Sequence, residues 1–183
     1  MKNNSCYVAF LRGINVGGQA LIKMIDLKKA FEKMGFEQVR TLLASGNVVF
    51  ECEQTEIKTL SQDIASVLKK EFGSNINVVI RNMDDLKKLQ SSEPFKGIKV
   101  TQSIRLYVTF LSEKTKPRTI KIPYTSPRNE FQILRATPME VFSVLDLSKG
   151  KGTTEVVNML EKEFGANLTT RIWNTILKVI NRD

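Results

Sequence analysis

Histidine is absent from the 183 residues of this chain. Its absence excludes Ser-His-Asp and Cys-His nucleophilic catalysis, histidine-ligated metals and histidine general bases. The two cysteines, Cys6 and Cys52, are too few for a zinc ribbon, an iron–sulfur ligand set or a disulfide framework. With 42% apolar and 26% charged residues, the composition is that of an ordinary globular protein. We therefore expect a globular protein that holds no metal ion of its own.

Long apolar runs are also missing. The run over residues 6–11 is too short for a secretory signal and lacks the small-residue cleavage site that follows one. No segment approaches the ~18 uncharged apolar residues of a membrane-spanning helix. These features predict a cytoplasmic protein with reduced thiols and no membrane partner.

Proline is missing from the first half of the chain, because all five prolines lie after residue 93. A chain of this length forms one or two domains. The change in composition near Ser91–Pro94 predicts a boundary there, with one domain over residues 1–93 and a second over 94–183.

Hydrophobic periodicity predicts the order strand, helix, strand, strand, helix, strand in the first domain. The predicted strands are 6–11, 39–44, 48–51 and 76–80, the predicted helices are 23–34 and 57–73, and a short helix follows at 83–89. This βαββαβ order is the split, ferredoxin-like pattern.

The second domain is predicted to be a small antiparallel sheet with C-terminal helices, so that the whole chain is α+β. The predicted strands are 104–111, 131–136 and 140–145, and the predicted helices are 154–164 and 170–180. A basic, proline-containing connection covers residues 113–128.

Basic residues outnumber acidic ones, 28 to 19, which leaves a net charge of +9. The excess is concentrated in residues 96–128, which contain eight Lys and Arg residues and one acidic residue, Glu113. A basic excess is typical of proteins with an anionic partner, such as nucleic acid or a nucleotide. For residues 96–128 themselves, a solvated loop beside a strand is the preferred interpretation.

A glycine-rich turn over residues 11–18 joins the first strand to the first helix. Its glycines permit positive φ and let backbone N–H groups converge on an anion. The spacing is neither that of a Walker loop nor that of the dinucleotide fingerprint, and a simple crossover would need the glycines merely to turn. The candidate ligand-binding residues in and after this turn are Arg12, Gly13, Asn15, Gly17, Gly18 and Lys23.

The hairpin tip Ser45-Gly46-Asn47 is a second candidate, with Ser45 and Asn47 as possible ligands. Its alternative is ordinary turn chemistry, in which glycine supplies the left-handed conformation and asparagine tolerates it. The hairpin strands are expected to bring Arg40 near the first strand, where it would share one cleft with Arg12 and Lys23.

The start of the last predicted helix is the third candidate. Thr169 or Thr170 would cap the helix, and Arg171 and Asn174 would lie in its first turns. A helix N-terminus with an arginine nearby can bind phosphate or carboxylate. Trp173 fits the buried stripe of the same helix.

Other chemistries find less support in the residues. The third strand lacks the aromatic pattern of the RNA-recognition module, and Tyr7, Phe10 and Phe50 are expected to pack inward. No Asp/Glu set has an evident metal-ligand spacing. The pairs Asp84/Asp85 and Glu161/Glu163 are typical of charges on helix surfaces.

The motifs just described resemble a known family. The stretch 7–18, YVAFLRGINVGG, resembles the opening of the uncharacterised, mostly bacterial family catalogued as domain of unknown function sixteen ninety-seven. The match continues through residues 39–41 and 45–50 and reaches the closing segment 170–175, where Ile172 replaces the family's usual Asn. The resemblance implies two linked α+β subdomains, the first ferredoxin-like, and no established activity.

Three functions follow as hypotheses. The first is binding of a phosphate-bearing ligand, nucleic acid or nucleotide, at the glycine-rich turn and the arginine cluster. The second is a small-molecule enzyme whose cleft lies between the subdomains, with acid–base work by Lys23, a carboxylate or a tyrosine. The third is a protein-interaction module.

Overall fold

The chain forms two compact units in a computed structural model that describes residues 4–15, 21–150 and 152–181. The first unit comprises Met1–Lys88 and Val179–Asp183, and the second comprises Leu89–Lys178. The division falls a few residues before the predicted boundary at residue 93, and the end of the chain belongs to the first unit.

The first unit has the βαββαβ order that the sequence predicts. Its elements are β1 Asn4–Arg12, α1 Met24–Lys33, β2 Glu37–Leu42, β3 Asn47–Glu53, α2 Ile57–Phe72 and β4 Asn77–Asn82. The helix α3, Met83–Ser91, follows β4 directly. The strands form an antiparallel sheet in the order β2-β3-β1-β4, so β1 and β3 are central.

The core of the first unit lies between one face of this sheet and the helices α1 and α2. Alternate residues of β1 point to this face because side chains alternate along a strand. Tyr7 packs on Phe50 with ring centroids 5.9 Å apart, and Phe31 of α1 meets Phe50 edge-on. The prediction that Tyr7, Phe10 and Phe50 pack inward is confirmed, since all three are at most 2% exposed.

The second unit contains an antiparallel sheet in the order β6-β7-β8-β5-β9. Its elements are β5 Ile104–Leu111, β6 Tyr124–Thr125, β7 Phe131–Ala136, β8 Glu140–Asp146, α4 Thr153–Phe164, β9 Leu168–Ile172 and α5 Trp173–Ile180. Val156 and Leu160 of α4 pack with Phe131 and Leu145 in its core. The predicted α+β class is therefore confirmed.

The prediction that the last helix begins at Thr170 is wrong. Residues 168–172 form β9, in which Thr170 pairs with Thr109 and Arg171 pairs with Val108. β-Branched threonine and isoleucine favour a strand when a partner strand is available, and β5 supplies that partner. The helix begins only at Trp173, so Thr169 and Thr170 do not cap it.

Glu163 is not the surface charge that the sequence predicts, because it is only 3% exposed. It follows Leu160 by three positions and therefore shares the buried side of α4. Its carboxylate accepts hydrogen bonds from the backbone N–H groups of Thr119, at 2.8 Å, and Ile120, at 3.2 Å. The basic connection is thereby attached to α4.

The helices of the two units are short. The longest described helix, α2, has 16 residues. Across residues 4–15, 21–150 and 152–181, no helix combines the length and the apolar character needed to cross a bilayer.

Candidate functional site

Two of the three predicted sites meet in the first unit, where the described part of the glycine-rich turn, residues 11–15, lies beside the hairpin tip. The backbone N–H of Leu11 donates to the carbonyl of Gly46 at 2.8 Å. The side-chain amide of Asn15 donates to the carbonyl of Ala44 at 2.9 Å. These described residues of the turn and of the hairpin are thus joined directly at the end of β1.

Two asparagines connect the chain segments at this point. Asn15, at a φ of 55°, also donates to the carbonyl of Ile22 at 2.9 Å and accepts from the N–H of Ile22 at 2.8 Å. Asn47 is fully buried, and its amide donates to the Leu42 carbonyl and the Ser45 hydroxyl at 2.8 and 3.0 Å. These bonds assign structural roles to both amides, and ligand binding by Asn15, Ser45 or Asn47 stays a prediction.

Glycine is required at position 46 by close packing. Gly46 has a φ of 74°, and a Cβ there would lie 2.6 Å from Cδ1 of Ile14 and 2.9 Å from Cβ of Leu11. Such distances are far inside van der Waals contact. Gly13 also has positive φ, at 74°, whereas Gly17 and Gly18 lie outside the described residues.

The predicted cations of the first unit occupy separate elements. Arg12 is half-buried at the end of β1, and Lys23 is exposed just before α1. Arg40 is exposed on β2, and because β3 lies between β2 and β1, one strand separates Arg40 from β1. A shared cleft for Arg12, Lys23 and Arg40 stays a prediction.

Arg40 lines a cavity of its own. With Lys28 it borders a hollow of about 380 Å³ along β2, whose other lining residues are Val39, Thr41 and Leu42. Lys28 also forms an ion pair with Glu32 at 3.5 Å, one turn further along α1. This hollow has positive charge but presents no aromatic residue.

Arg171 lies inside the second unit and not at a helix start. Its Nη1 donates to the hydroxyl of Thr169 at 2.8 Å and to the carbonyl of Thr170 at 3.0 Å. Burial disfavours the charged form and lowers the pKa of Arg171 to about 10, so the group stays protonated at neutral pH. Sequence reasoning placed this cation in a helix turn, where it would have been accessible.

A larger hollow, which we call the Trp173 cavity, lies within the second unit and has a volume of about 440 Å³. Its lining residues come from the approach to β5, from β5 itself and from the junction of β9 with α5. They are Val100, Thr101, Ile104, Arg105, Leu106, Ile172, Trp173, Asn174, Thr175 and Lys178. Asn174 is the predicted site residue that the structure brings to this cavity.

Strand register and helix periodicity assemble the Trp173 cavity. Tyr107 of β5 pairs with Ile172, the last residue of β9, so Arg105 extends past the end of β9 to where α5 begins. On α5, Asn174 and Lys178 are four residues apart and therefore share a helix face. The two cations Arg105 and Lys178 consequently line one hollow, and among its lining residues that the structure describes there is no carboxylate.

The polar side chains Arg105, Asn174 and Lys178 of this cavity form few hydrogen bonds or ion pairs with other described residues. Within the described part of the chain, Lys178 forms no ion pair, and the side chain of Asn174 forms no hydrogen bond. Arg105 donates through Nη1 to the carbonyls of Gln102 and Ile104, at 2.6 and 3.1 Å. Its Nη2 and Nε donors make no hydrogen bond to the described residues. The cavity therefore offers positive charge and unengaged donors.

A third hollow, of about 290 Å³ in the first unit, has the opposite charge. Glu37, Glu51 and Glu53 line it together with Cys52. Burial, and secondarily the neighbouring Glu53 carboxylate, raise the pKa of the Cys52 thiol above its ordinary value of 9.0. In the ranges that the structure describes, no group of three Cys, Asp or Glu side chains is placed to hold a metal ion.

Sequence reasoning missed most of the Trp173 cavity. Arg105 was visible only as part of the basic excess in residues 96–128, and no sequence pattern singled out Lys178. The signal that pointed here was the segment 170–175, where Trp173 and Asn174 stand next to each other. Residues 172–175 of this segment line the cavity, as the end of a strand and the start of a helix rather than as a capped helix N-terminus.

Comparison with known proteins supports the fold. A family model described as Protein of unknown function (DUF1697) matches residues 5–137. The chain is also similar to the conserved bacterial protein SP0830 from Streptococcus pneumoniae, with a TM-score of 0.68 and 15% sequence identity. That match covers 97% of this chain and 98% of the other. No curated protein matches the sequence.

Proposed function

This chain belongs to the family described as Protein of unknown function (DUF1697), and we propose that it binds a phosphate-bearing ligand, a nucleotide or nucleic acid. The observation that supports the proposal is the Trp173 cavity, where Arg105 and Lys178 line one hollow and none of the described lining residues carries a carboxylate. Both cysteines are free thiols, and localisation in the cytoplasm, where thiols stay reduced, forms part of the same proposal.

The lining chemistry suits phosphate. An arginine presents several N–H donors in a plane, which matches the oxygens of a phosphate group, and a lysine adds a compact positive charge. Two threonines, Thr101 and Thr175, line the same hollow. The volume of about 440 Å³ lies in the usual range for small-ligand sites, which is roughly 300–1,000 Å³.

The nucleic-acid form of the proposal rests on a different surface. Lys114, Lys116, Arg118 and Lys121 are all exposed on the connection that Glu163 holds against α4. A polynucleotide that these cations neutralise would release counterions, so its affinity would fall steeply as salt rises. The enzyme and the protein-interaction hypotheses stay predictions.

The proposal is tested by thermal shift and calorimetry at low salt, with inorganic phosphate, pyrophosphate, nucleotides and a single-stranded oligonucleotide as probes. A bound probe at about 100 times its Kd stabilises the fold by about 2.7 kcal/mol and raises Tm by several degrees. Loss of one charge-assisted hydrogen bond in Arg105→Ala or Lys178→Ala is expected to weaken binding by about tenfold or more.

The matched control is Lys116→Ala, which removes an exposed cation from the connection and not from the cavity. It should leave small-ligand affinity unchanged. Equal weakening by all three variants would contradict a defined site and indicate diffuse attraction to a basic surface. Failure of every probe to bind at low salt would remove the proposal.

A further inference from the structure

We infer that the Trp173 cavity is a mononucleotide site, in which the base lies against Trp173 while the phosphate meets Arg105 and Lys178. This inference rests on the proposed function and narrows it, because inorganic phosphate, a sugar phosphate and a polynucleotide would satisfy the proposal equally well. Three features of the cavity wall support a mononucleotide over these other ligands.

The first feature is the apolar side of the wall. Val100 and Ile172 are 60% and 41% exposed, and both line this cavity beside Trp173. Exposed large apolar side chains gathered at one hollow mark a surface that a ligand covers. A ligand made only of phosphate or sugar would leave them in contact with polar groups, whereas a planar base would cover them.

The second feature is the indole ring itself. Trp173 is half-buried on the cavity wall, and Phe95 contacts it edge-on, with centroids 5.5 Å apart and planes at 61°. No other ring of the described residues contacts Trp173. Aromatic faces of this kind bind nucleobases by stacking.

The third feature is the number and kind of polar groups. Two cations on the wall balance the charge of one phosphate monoester, which is about −2 at neutral pH. A polynucleotide would need a longer series of cations along its backbone. The free amide of Asn174 has both a donor and an acceptor, the combination that pairs with the edge of a base.

The test uses intrinsic fluorescence, because Trp173 is the single tryptophan of the chain and its emission reports on this cavity alone. AMP, GMP, CMP and UMP are titrated separately into the full-length protein, beside ribose 5-phosphate and adenosine. At least one nucleotide is expected to quench Trp173 saturably. Ribose 5-phosphate and adenosine should each bind at least about tenfold more weakly than that nucleotide.

Calorimetry on variants separates the base from the phosphate. Asn174→Ala, at an exposed position, should lower the affinity for nucleotides and leave the affinity for ribose 5-phosphate unchanged. Lys178→Ala should lower both affinities. Trp173→Phe keeps an aromatic ring and should retain most of the affinity for nucleotides. It is used instead of Trp173→Ala because removal of the whole ring would also destabilise the fold.

Equal affinity for ribose 5-phosphate and nucleotides would overturn the inference and leave the proposed function standing. Equal affinity for adenosine and AMP would overturn both, since the phosphate would then contribute nothing. Failure of all four mononucleotides to quench Trp173 would also overturn the inference, and tight binding of an oligonucleotide in that case would place the ligand on the basic connection.

Discussion

Glu163 of α4 binds the backbone of Thr119 through a hydrogen bond of 2.8 Å from the Thr119 N–H to its carboxylate. The hydroxyl of Thr119 donates to the other carboxylate oxygen at 2.5 Å. A carboxylate with so many donors is stabilised in its charged form, and these bonds lower the pKa of Glu163 below its ordinary value of 4.5. The protein thereby fixes a basic connection with a buried negative charge.

The acid stability of the fold should depend on this carboxylate. Because the folded pKa lies below the unfolded value of 4.5, Glu163 stabilises the fold fully above that pH. The contribution is lost as pH falls through the lower, folded pKa. We expect Glu163→Gln to reduce the free energy of unfolding at pH 7 by about 1–3 kcal/mol, measured in urea, and the difference from wild type to shrink toward pH 3.

The control for this prediction is Glu113→Gln, which removes an exposed carboxylate from the same connection. It should change the free energy of unfolding by less than about 0.5 kcal/mol. A difference between wild type and Glu163→Gln that stayed constant from pH 7 to pH 3 would contradict the assignment.

Packing at the hairpin tip predicts a large effect of Gly46→Ala. The new Cβ would lie 2.6 Å from Ile14 and 2.9 Å from Leu11 at a φ of 74°. Gly73→Ala is the matched control, because Gly73 has a φ of 70° and nothing within 4 Å of the added atom. In both variants, an alanine in the left-handed backbone conformation costs about 1–2 kcal/mol. Gly46→Ala should lower the free energy of unfolding, measured in urea, by about 1–3 kcal/mol more than Gly73→Ala does.

A second substitution identifies the cause of that loss. Ile14→Val removes Cδ1, the nearest atom, and should recover part of the stability lost in Gly46→Ala while leaving Gly73→Ala unaffected. Equal destabilisation by Gly46→Ala and Gly73→Ala would show that the conformation alone, and not the close approach, accounts for the effect.

The amide of Asn15 should contribute to stability rather than to ligand affinity. Asn15→Gly tolerates the φ of 55° but removes the hydrogen bonds to Ile22 and Ala44, so a loss of about 1–3 kcal/mol is expected. Asn129→Gly is the control, at an exposed position with a φ of 54°, and should change little. If Asn15→Gly left the free energy of unfolding unchanged and abolished ligand binding, Asn15 would be assigned to binding instead.

The thiol of Cys52 should react slowly with iodoacetamide at neutral pH. Its raised pKa reduces the thiolate fraction, so alkylation in a Cys6→Ser background should be slower in native protein than in urea. Glu53→Gln should recover only part of that difference, because burial, the larger cause, remains. Glu51→Gln, on the same cavity wall, is the control and should leave the rate unchanged.

Several elements could be predicted because their signals are local. The apolar spacing of Leu27, Ala30 and Phe31 predicts α1, and the apolar run of β1 predicts a strand covered on both faces. The segment 170–172 was misassigned because Thr170 is compatible with either structure. The segment forms a strand and not a helix because Thr170 pairs with Thr109 of β5.

The candidate site depended on contacts that no local pattern encodes. Glu163 looked like a surface charge, since nothing in its helix shows that residues 118–120 pass over it. Arg105 and Lys178 are distant in the chain and meet only because β5 extends past β9 to the start of α5.

Composition and periodicity were therefore enough to exclude histidine chemistry and to assign the α+β class, since both follow from residue types and near-neighbour geometry. The burial of Arg171, the close packing of Gly46 on Ile14 and the Trp173 cavity were decided by strand register and helix packing. Those contacts join residues far apart in the chain, and their distances exist only once the chain has folded.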